Sequence, residues 1–482
     1  MQNLNLPLSR LLENQNGDGA TLTGLEKNLE KKYVSETVIR SVCVDSRKIK
    51  AGDWFVCLKG ETFDGHDFIE NALAAGAAGI VYEKGEVQCP GLRVTDTTLF
   101  LGKMAHIWRK IVDPVVIAVT GSNGKTSVKE LLAFLLEQIA PGRVCSTSGN
   151  FNNQFGVPYT LLTLAPAHKF LVVEIGTNHP GEIAPLSNMA APDYAVITSI
   201  SPGHIGNFGS LEAIVEEKTD IVSGCKPGGV LVVNANLGHD AIVRKKVDHG
   251  QLTLVTPDDS LSLTGQTTAG GEITLEGKTL TYPPCGLHQF QNLKLAYATL
   301  KELEKNPRAG FSHESLKTSL GQLQNFRQAK GRLQRIDNAR YNLWDDTYNA
   351  NPASYAEAIK FIAEVTKTTA SSQRFGAFGM MGELGDFALK AHEELGRLTV
   401  EFDFKAVFFS ADDDKIRNAF LRGRRQALQG SQPAEPETMA GANTDQDILY
   451  GFKYLASKMS PGDHLLVKGS RSTRMERILK LF

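Results

Sequence analysis

At 482 residues the chain is longer than one hydrophobic core organises, and roughly 150 residues per domain makes about three domains, with clefts between them. Lys and Arg number 52 against 53 Asp and Glu, a formal charge of −1, which excludes a basic nucleic-acid binder or an acidic tail as the organising feature. Cys43, Cys57, Cys89, Cys145, Cys225 and Cys285 form no CxxC pair, so they read as free thiols in a reducing compartment, without a cysteine metal site. The opening MQNLNLPLSRLLENQNGDG has no basic segment leading into an apolar core, and no later apolar run is long enough to cross a bilayer. A cytoplasmic protein without a membrane span is expected.

The elements follow in chain order. Short apolar runs at Ser41–Asp45 and Trp54–Leu58, a small-residue helix over Phe68–Ala78 and the pair Ile80 and Val81 predict a small α/β domain, residues 1–113, closed by Asp113-Pro114. Val115–Val119 is a β-branched apolar run, followed by a glycine turn and a helical pattern over Ser127–Ile139. Further buried strands are expected at Phe170–Ile175, Tyr194–Ser199 and Gly229–Asn234, which makes residues 114–329 a mostly parallel sheet covered on both faces. Leu252–Tyr282, rich in Thr and Gly, predicts antiparallel strands appended to that domain, ahead of a helix over Asn292–Lys305. Strands around Tyr341–Asp345, Arg374–Phe378, Lys405–Phe409 and His464–Val467 alternate with helices in a third, Rossmann-like unit, residues 330–482, with Gln429–Glu437 as a surface loop.

The sharpest chemical signal is Thr120-Gly121-Ser122-Asn123-Gly124-Lys125-Thr126-Ser127, set between strand and helix. Glycines let backbone N–H groups wrap phosphate oxygens, the helix N-terminus adds positive potential, Lys125 reaches the outer phosphates and Thr126 can ligate Mg²⁺. A capped glycine turn is the bland alternative, and Lys-Thr opening a helix behind a buried strand argues against it. The generic P-loop pattern wants glycine where this chain has Val119. Glu174, at the carboxyl end of the next buried strand, suits the same cation as a hard oxygen ligand, with a helix-capping or surface glutamate as the alternative on spacing alone.

The TGSNGKTS form resembles the ATP loop of the Mur ligase and folylpolyglutamate synthetase superfamily. The resemblance implies ATP-dependent amide-bond formation through an acyl phosphate, with ATP and Mg²⁺, two ions, as cofactors. It implies that Glu174 in EIGTNH and His204 in SPGHIG ligate the metals, and that Lys218 in EEKTD is carbamylated and helps to position them. From chemistry alone His204 is a solvated loop histidine and Lys218 a helix-face lysine. By the same resemblance His288 and Asn292 in GLHQFQN contact adenine, with Gln289 in place of the usual Asn, Arg332 approaches the nucleotide from the third domain, and Asp346 lies near the ribose.

Asp345–Ser354, DDTYNANPAS, is close to the DxYNANPxS pattern of those family members that add D-alanyl-D-alanine to UDP-N-acetylmuramoyl-tripeptide, and no DNPR-like segment for diaminopimelate is present. Val44–Lys48, Phe55–Gly60 and Phe63–Phe68 resemble the N-terminal UDP-substrate domain of the later Mur ligases, against an edge strand and a turn, and the resemblance implies Ser46 and Arg47 as hydrogen-bond donors to uracil or diphosphate. Asn150 and Asn153, in a GNxNNxxGxP-like loop, and Asn349 are further substrate-side candidates; the two loop asparagines equally suit structural Asx turns. Lys468 and Arg471, in the C-terminal LVKGSR, reach phosphate or the D-alanyl-D-alanine carboxylate on this reading, against ordinary helix capping. A monomer is expected. Two rivals stay open here: another amide ligase of the superfamily, tripeptide-forming or polyglutamylating, and a nucleotide switch or scaffold without ligation, for which a guanine-reading NKxD segment is missing.

Overall fold

The computed structural model describes residues 4–13, 20–25, 27–60, 62–203, 205–234, 240–267, 270–283, 286–367, 372–428 and 437–482. Val115–Thr120 is buried along its whole length and alternates its side chains between two cores. Val116 and Ala118 face one apolar cluster, and Val115, Ile117 and Val119 face the other. A strand covered on both sides cannot alternate polar with apolar, which is why the sequence reads as a continuous β-branched run.

Among the described residues this strand sits inside a parallel sheet ordered Thr253–Val255, Val230–Val233, Tyr194–Ile197, Val115–Thr120, Phe170–Glu174, Val144–Ser146. Lys125–Ile139 and Leu287–Glu304 pack on one face; Gly156–Leu162 and Ile183–Ala190 pack on the other, together with Thr97–Val112 from the N-terminal part. The chain leaves Val115–Thr120, Phe170–Glu174 and Tyr194–Ile197 at the same edge of three adjacent strands, so their following loops converge there.

Leu261–Thr267, Gly270–Leu275 and Lys278–Tyr282 form the expected antiparallel sheet. Thr253–Val255 does not join it. That segment pairs in parallel with Val230–Val233 as the edge of the main sheet, a partnership decided by tertiary packing rather than by its Thr-rich composition. The small-residue helix is shorter than expected: Gly65–Phe68 forms a 3₁₀ turn and only Ile69–Ala74 is α-helical.

An N-terminal sheet is ordered Thr21–Thr23, Gly91–Arg93, Gly79–Tyr82, Trp54–Val56, Val42–Cys43, with only the Thr21–Thr23 edge antiparallel. It leads into Thr97–Val112, capped by Asp96 accepting from the Leu99 amide at 2.8 Å. The joint behind that helix is pinned: Arg308 pairs with Asp113 at 2.9 Å and with Asp193 at 3.2 Å, and Lys226 pairs with Asp193 at 2.8 Å. The C-terminal sheet runs Gln334–Ile336, Asn342–Asp346, His464–Lys468, Arg374–Gly379, Phe404–Ser410, Glu437–Gly441, parallel except for its first strand. Glu437 opens a strand rather than ending a loop; residues 429–436 of the expected loop lie outside the described residues.

Candidate active site

The phosphate loop owes its shape to two glycines at which any other residue would be strained. Gly121 has φ +146° and Gly124 has φ +85°, a region that L side chains rarely enter. A Cβ on Gly121 would lie 2.0 Å from Thr198 Oγ1, and one on Gly124 would lie 2.5 Å from Asn292 Oδ1. The loop is also stitched to the segment after Tyr194–Ile197. The Ser122 amide donates to Ser199 O at 2.8 Å, and the Asn123 amide donates to Ser199 Oγ at 2.9 Å.

Behind this loop the helix starts at Lys125. Lys125 Nζ donates to Gly121 O at 2.6 Å, folding the side chain back over the loop. Desolvation lowers its pKa, a nearby Arg332 adds to the effect, and Glu174 opposes it. Thr126 is buried, and its hydroxyl accepts from Arg332 Nη2 at 3.0 Å. Arg332 stacks its guanidinium on Tyr348, 4.0 Å from the ring centroid.

Glu174, only 2 % exposed, is held in a defined pose. Its amide donates to Thr147 Oγ1 at 2.9 Å, and the Thr147 carbonyl accepts from the buried Lys129 ammonium at 2.8 Å. Asn152 Nδ2 donates to Glu174 Oε1 at 2.8 Å. The other oxygen, Oε2, is buried without a hydrogen-bond partner among the described residues. An unpartnered carboxylate oxygen beside a phosphate loop is a fit donor for a hard divalent cation. Asn152 was not singled out in the sequence; its neighbours Asn150 and Asn153 were. The only signal for it in the sequence is its place as the second of that loop's three asparagines.

The loop after Glu174 rests on two acids. Glu182 Oε2 accepts from the Asn178 and His179 amides at 2.7 and 3.1 Å, and Glu217 accepts from the Gly181, Glu182 and Ile183 amides at 2.6, 3.0 and 2.8 Å. Beside Glu217, Lys218 is 3 % exposed, and burial, reinforced by the Lys125 charge and opposed by Glu217, pushes its pKa down to about 7. The sequence-level picture of a solvated helix-face lysine therefore fails. His204 lies outside the described residues.

One cleft of about 1380 Å³ joins these parts. Ser122, Asn123, Gly124, Lys125 and Ser127 line it, as do Glu174, His288, Asn292, Arg332 and Asp346; Gly121, Thr126 and Lys218 do not. His288 is half-buried, and desolvation favours its neutral imidazole. Asn292 Nδ2 donates to Gln289 Oε1 at 3.2 Å, so the substituted glutamine orients its neighbour and both amides face the cleft. Lys468, 1 % exposed, donates to Asp346 Oδ2 at 2.7 Å and to Asn349 O at 3.1 Å.

The substrate-side candidates divide. Asn150, Asn153, Asn349 and Lys468 line the cleft. Asn153 Oδ1 is occupied with capping, accepting from the Phe155 and Gly156 amides at 3.2 and 3.0 Å. Ser46, Arg47 and Arg471 do not line it. Arg47 is exposed and folds back on Asp45, with Nε to Oδ1 at 2.8 Å and Nη2 to Oδ2 at 3.0 Å. Arg471 is likewise exposed, 3.6 Å from Glu476. From the N-terminal sheet the cleft is reached instead by Lys59, Thr62, Phe63 and Glu83.

Three family models match the chain: the Mur ligase family catalytic domain over residues 38–109, the Mur ligase middle domain over 119–299 and the Mur ligase glutamate ligase domain over 331–471. A UDP-N-acetylmuramoyl-tripeptide--D-alanyl-D-alanine ligase of Haemophilus influenzae is 35 % identical over 467 residues, 94 % of this chain and 96 % of that protein. Among solved structures, MurF from Acinetobacter baumannii superposes with a TM-score of 0.83 at 28 % identity, covering 100 % of this chain and 99 % of that one. MurF ligase from Thermotoga maritima in complex with ADP matches with a TM-score of 0.77 at 26 % identity, covering 92 % and 97 %. With its three segments matched in order and a relative this similar from end to end, the chain belongs to the Mur ligase family.

Proposed function

We propose that the protein uses ATP to join D-alanyl-D-alanine to UDP-N-acetylmuramoyl-tripeptide, giving UDP-N-acetylmuramoyl-pentapeptide, ADP and phosphate. The observation that carries the reading is the single cleft in which the phosphate loop, the buried Glu174 and the DDTYNANPAS segment meet, in a chain whose relatives over nearly full length are ligases of that name. The free carboxylate of the tripeptide attacks the γ-phosphorus of ATP, ADP leaves, and an acyl phosphate forms. The neutral amine of D-alanyl-D-alanine then attacks the acyl carbon, phosphate departs with the bonding pair and the amine proton passes to phosphate or solvent, so no side-chain nucleophile is needed.

The loop amides from Gly121 to Ser127 cradle phosphate, and Lys125 swings from the Gly121 carbonyl to the outer phosphates. His288 and Asn292 take the adenine side, Asp346 the ribose, and Arg332 the phosphates from the opposite wall. Thr126, Glu174, His204 and a carbamylated Lys218 would hold Mg²⁺, two ions on this reading. Bound there, Mg²⁺ would offset the repulsion between an incoming carboxylate and a triphosphate. The unpartnered Glu174 oxygen supports the first site; burial of Lys218 within reach of the Lys125 field supports its belonging to the same assembly.

The substrate side is assigned to Asn150, Asn153, Asn349 and Lys468. Ser46, Arg47 and Arg471 stand as outer candidates that would need to turn toward the cleft. The divisions 1–113, 114–329 and 330–482 go with this reading, since each segment carries its own parallel sheet. A monomer remains part of this reading, and among the described residues no helix is long and apolar enough to cross a membrane. A cytoplasmic location matches the nucleotide substrates.

The test is to incubate the protein with ATP, Mg²⁺, UDP-N-acetylmuramoyl-tripeptide and D-alanyl-D-alanine, omitting each in turn, and to follow phosphate release and the mass of the UDP product. A pentapeptide that requires all four is the expected result. Turnover indifferent to D-alanyl-D-alanine would assign the protein to a sibling ligase activity.

A further inference from the structure

The phosphate loop is held from across the cleft at two points. One is the Arg332 to Thr126 hydrogen bond, which involves a residue already given to the nucleotide. The other has no role so far. Asn351 Nδ2 donates to Asn123 Oδ1 at 2.7 Å, and Asn123 Nδ2 returns a longer bond to Asn351 Oδ1 at 3.4 Å, a reciprocal amide pair between residues 228 apart in sequence. Both side chains line the cleft.

Each partner is anchored on its own side. The Asn123 backbone is fixed to the Ser199 hydroxyl and its carbonyl accepts from the Thr198 and Ser199 hydroxyls, so only its side chain is left to report on the opposite wall. Besides Asn351, that side chain meets Ser201 Oγ at 3.2 Å. Asn351 sits immediately before the helix Pro352–Lys367. Its Oδ1 accepts from the Ser354 amide at 2.9 Å, and its own amide donates to Ser354 Oγ at 3.0 Å, so it also caps that helix. A displacement of the Pro352–Lys367 helix therefore moves the amide that meets the phosphate loop. The pair is neutral, which suits a place beside phosphate: a carboxylate at either position would add negative charge where the loop must accept it.

We propose that Asn351 is a positioning residue for the ligation: through its amide pair with Asn123 it couples the seating of the Pro352–Lys367 helix to the shape of the phosphate loop. The inference rests on the ligase reading above. Asn351 acts on the loop rather than on nucleotide, so its loss lowers kcat more than it raises the KM for ATP.

The experiment compares wild type, Asn351→Ser, Asn123→Ala and the double variant in the pentapeptide-forming assay, with thermal melting of each. Serine keeps the helix cap but is too short to reach Asn123. The expected result is a roughly 10-fold fall in kcat for each single variant, from the loss of one or two neutral hydrogen bonds. The KM for ATP stays within about twofold and the melting curve of Asn351→Ser stays at the wild-type position. The double variant loses no more than the worse single one, because both remove the same interaction. Asn351→Asp, which also caps the helix but adds charge, falls further. Wild-type kcat in Asn351→Ser, or losses that multiply in the double variant, would overturn the proposal. Failure of the wild type itself to make pentapeptide would overturn the ligase reading instead, so the two failures are distinguishable.

Discussion

Asn152→Ala removes the amide that fixes one oxygen of Glu174 while leaving the main chain of the loop in place, since the Gly176 amide donates to the Asn152 backbone carbonyl at 2.8 Å rather than to its side chain. The hydrogen bond lost is a 2.8 Å amide-to-carboxylate contact around a side chain 2 % exposed, of the charge-assisted kind worth about 1.5–3 kcal/mol. At about 1.36 kcal/mol per decade this corresponds to a roughly 10- to 150-fold fall in kcat/KM. If Glu174 holds Mg²⁺ as proposed, part of the loss should return at higher Mg²⁺ concentration, because a carboxylate free to rotate would be a poorer, though still present, ligand. The assay is steady-state phosphate release over a Mg²⁺ series, with urea unfolding alongside to show that the loss does not track stability. Wild-type rates with an unchanged Mg²⁺ half-saturation would refute the reasoning, because Glu174 would then be held without Asn152 or would not serve the metal.

Two further expectations concern stability. His464 is fully buried, its Nδ1 accepts from Trp344 Nε1 at 3.2 Å, and burial, joined by Arg335 and Arg374 and opposed by Asp463, pushes its pKa down to about 4. The unfolded chain takes up that proton below about pH 6.5 while the folded chain resists, so stability is full above about pH 6.5 and falls toward pH 4, by about 2 kcal/mol at pH 5. Urea unfolding at pH 7.5 and 5 should show His464→Gln losing about that much less than wild type; equal losses would refute it. Lys468→Met leaves Asp346, 14 % exposed, without its ammonium partner, and denaturation should report a loss of about 3–5 kcal/mol. Asp346→Asn added to it should recover part of that loss, and a double variant no more stable than Lys468→Met would count against the pairing argument.

The phosphate loop was legible because its chemistry is local: glycines, lysine and helix start are consecutive, and the buried strand before them is a plain apolar run. Glu174 was legible for a related reason, as the last residue of a strand adjacent to it in the sheet. What the sequence did not show are partnerships across distance. Asn152 rather than Asn150 or Asn153 meets Glu174, and side-chain direction along an irregular loop has no period to read. Arg47 can equally reach a ligand or its own neighbour Asp45, and in the fold it takes Asp45. Lys218 reads as solvated from its Glu-Glu-Lys-Thr-Asp setting, yet it is buried together with Ile214, Val215 and Glu217 of its helix while Glu212 and Glu216 are the exposed residues. Thr253–Val255 misled for want of an edge partner visible in one dimension.

Gly121 and Gly124 bear on drug resistance. Both are fixed by a positive φ, and at Gly121 a methyl group would also press on Thr198 Oγ1 and the Ser199 backbone. An inhibitor that draws its affinity from the backbone of these two residues therefore meets positions where a substitution strains the loop. One that leans on exposed Asn150 or Asn153 does not.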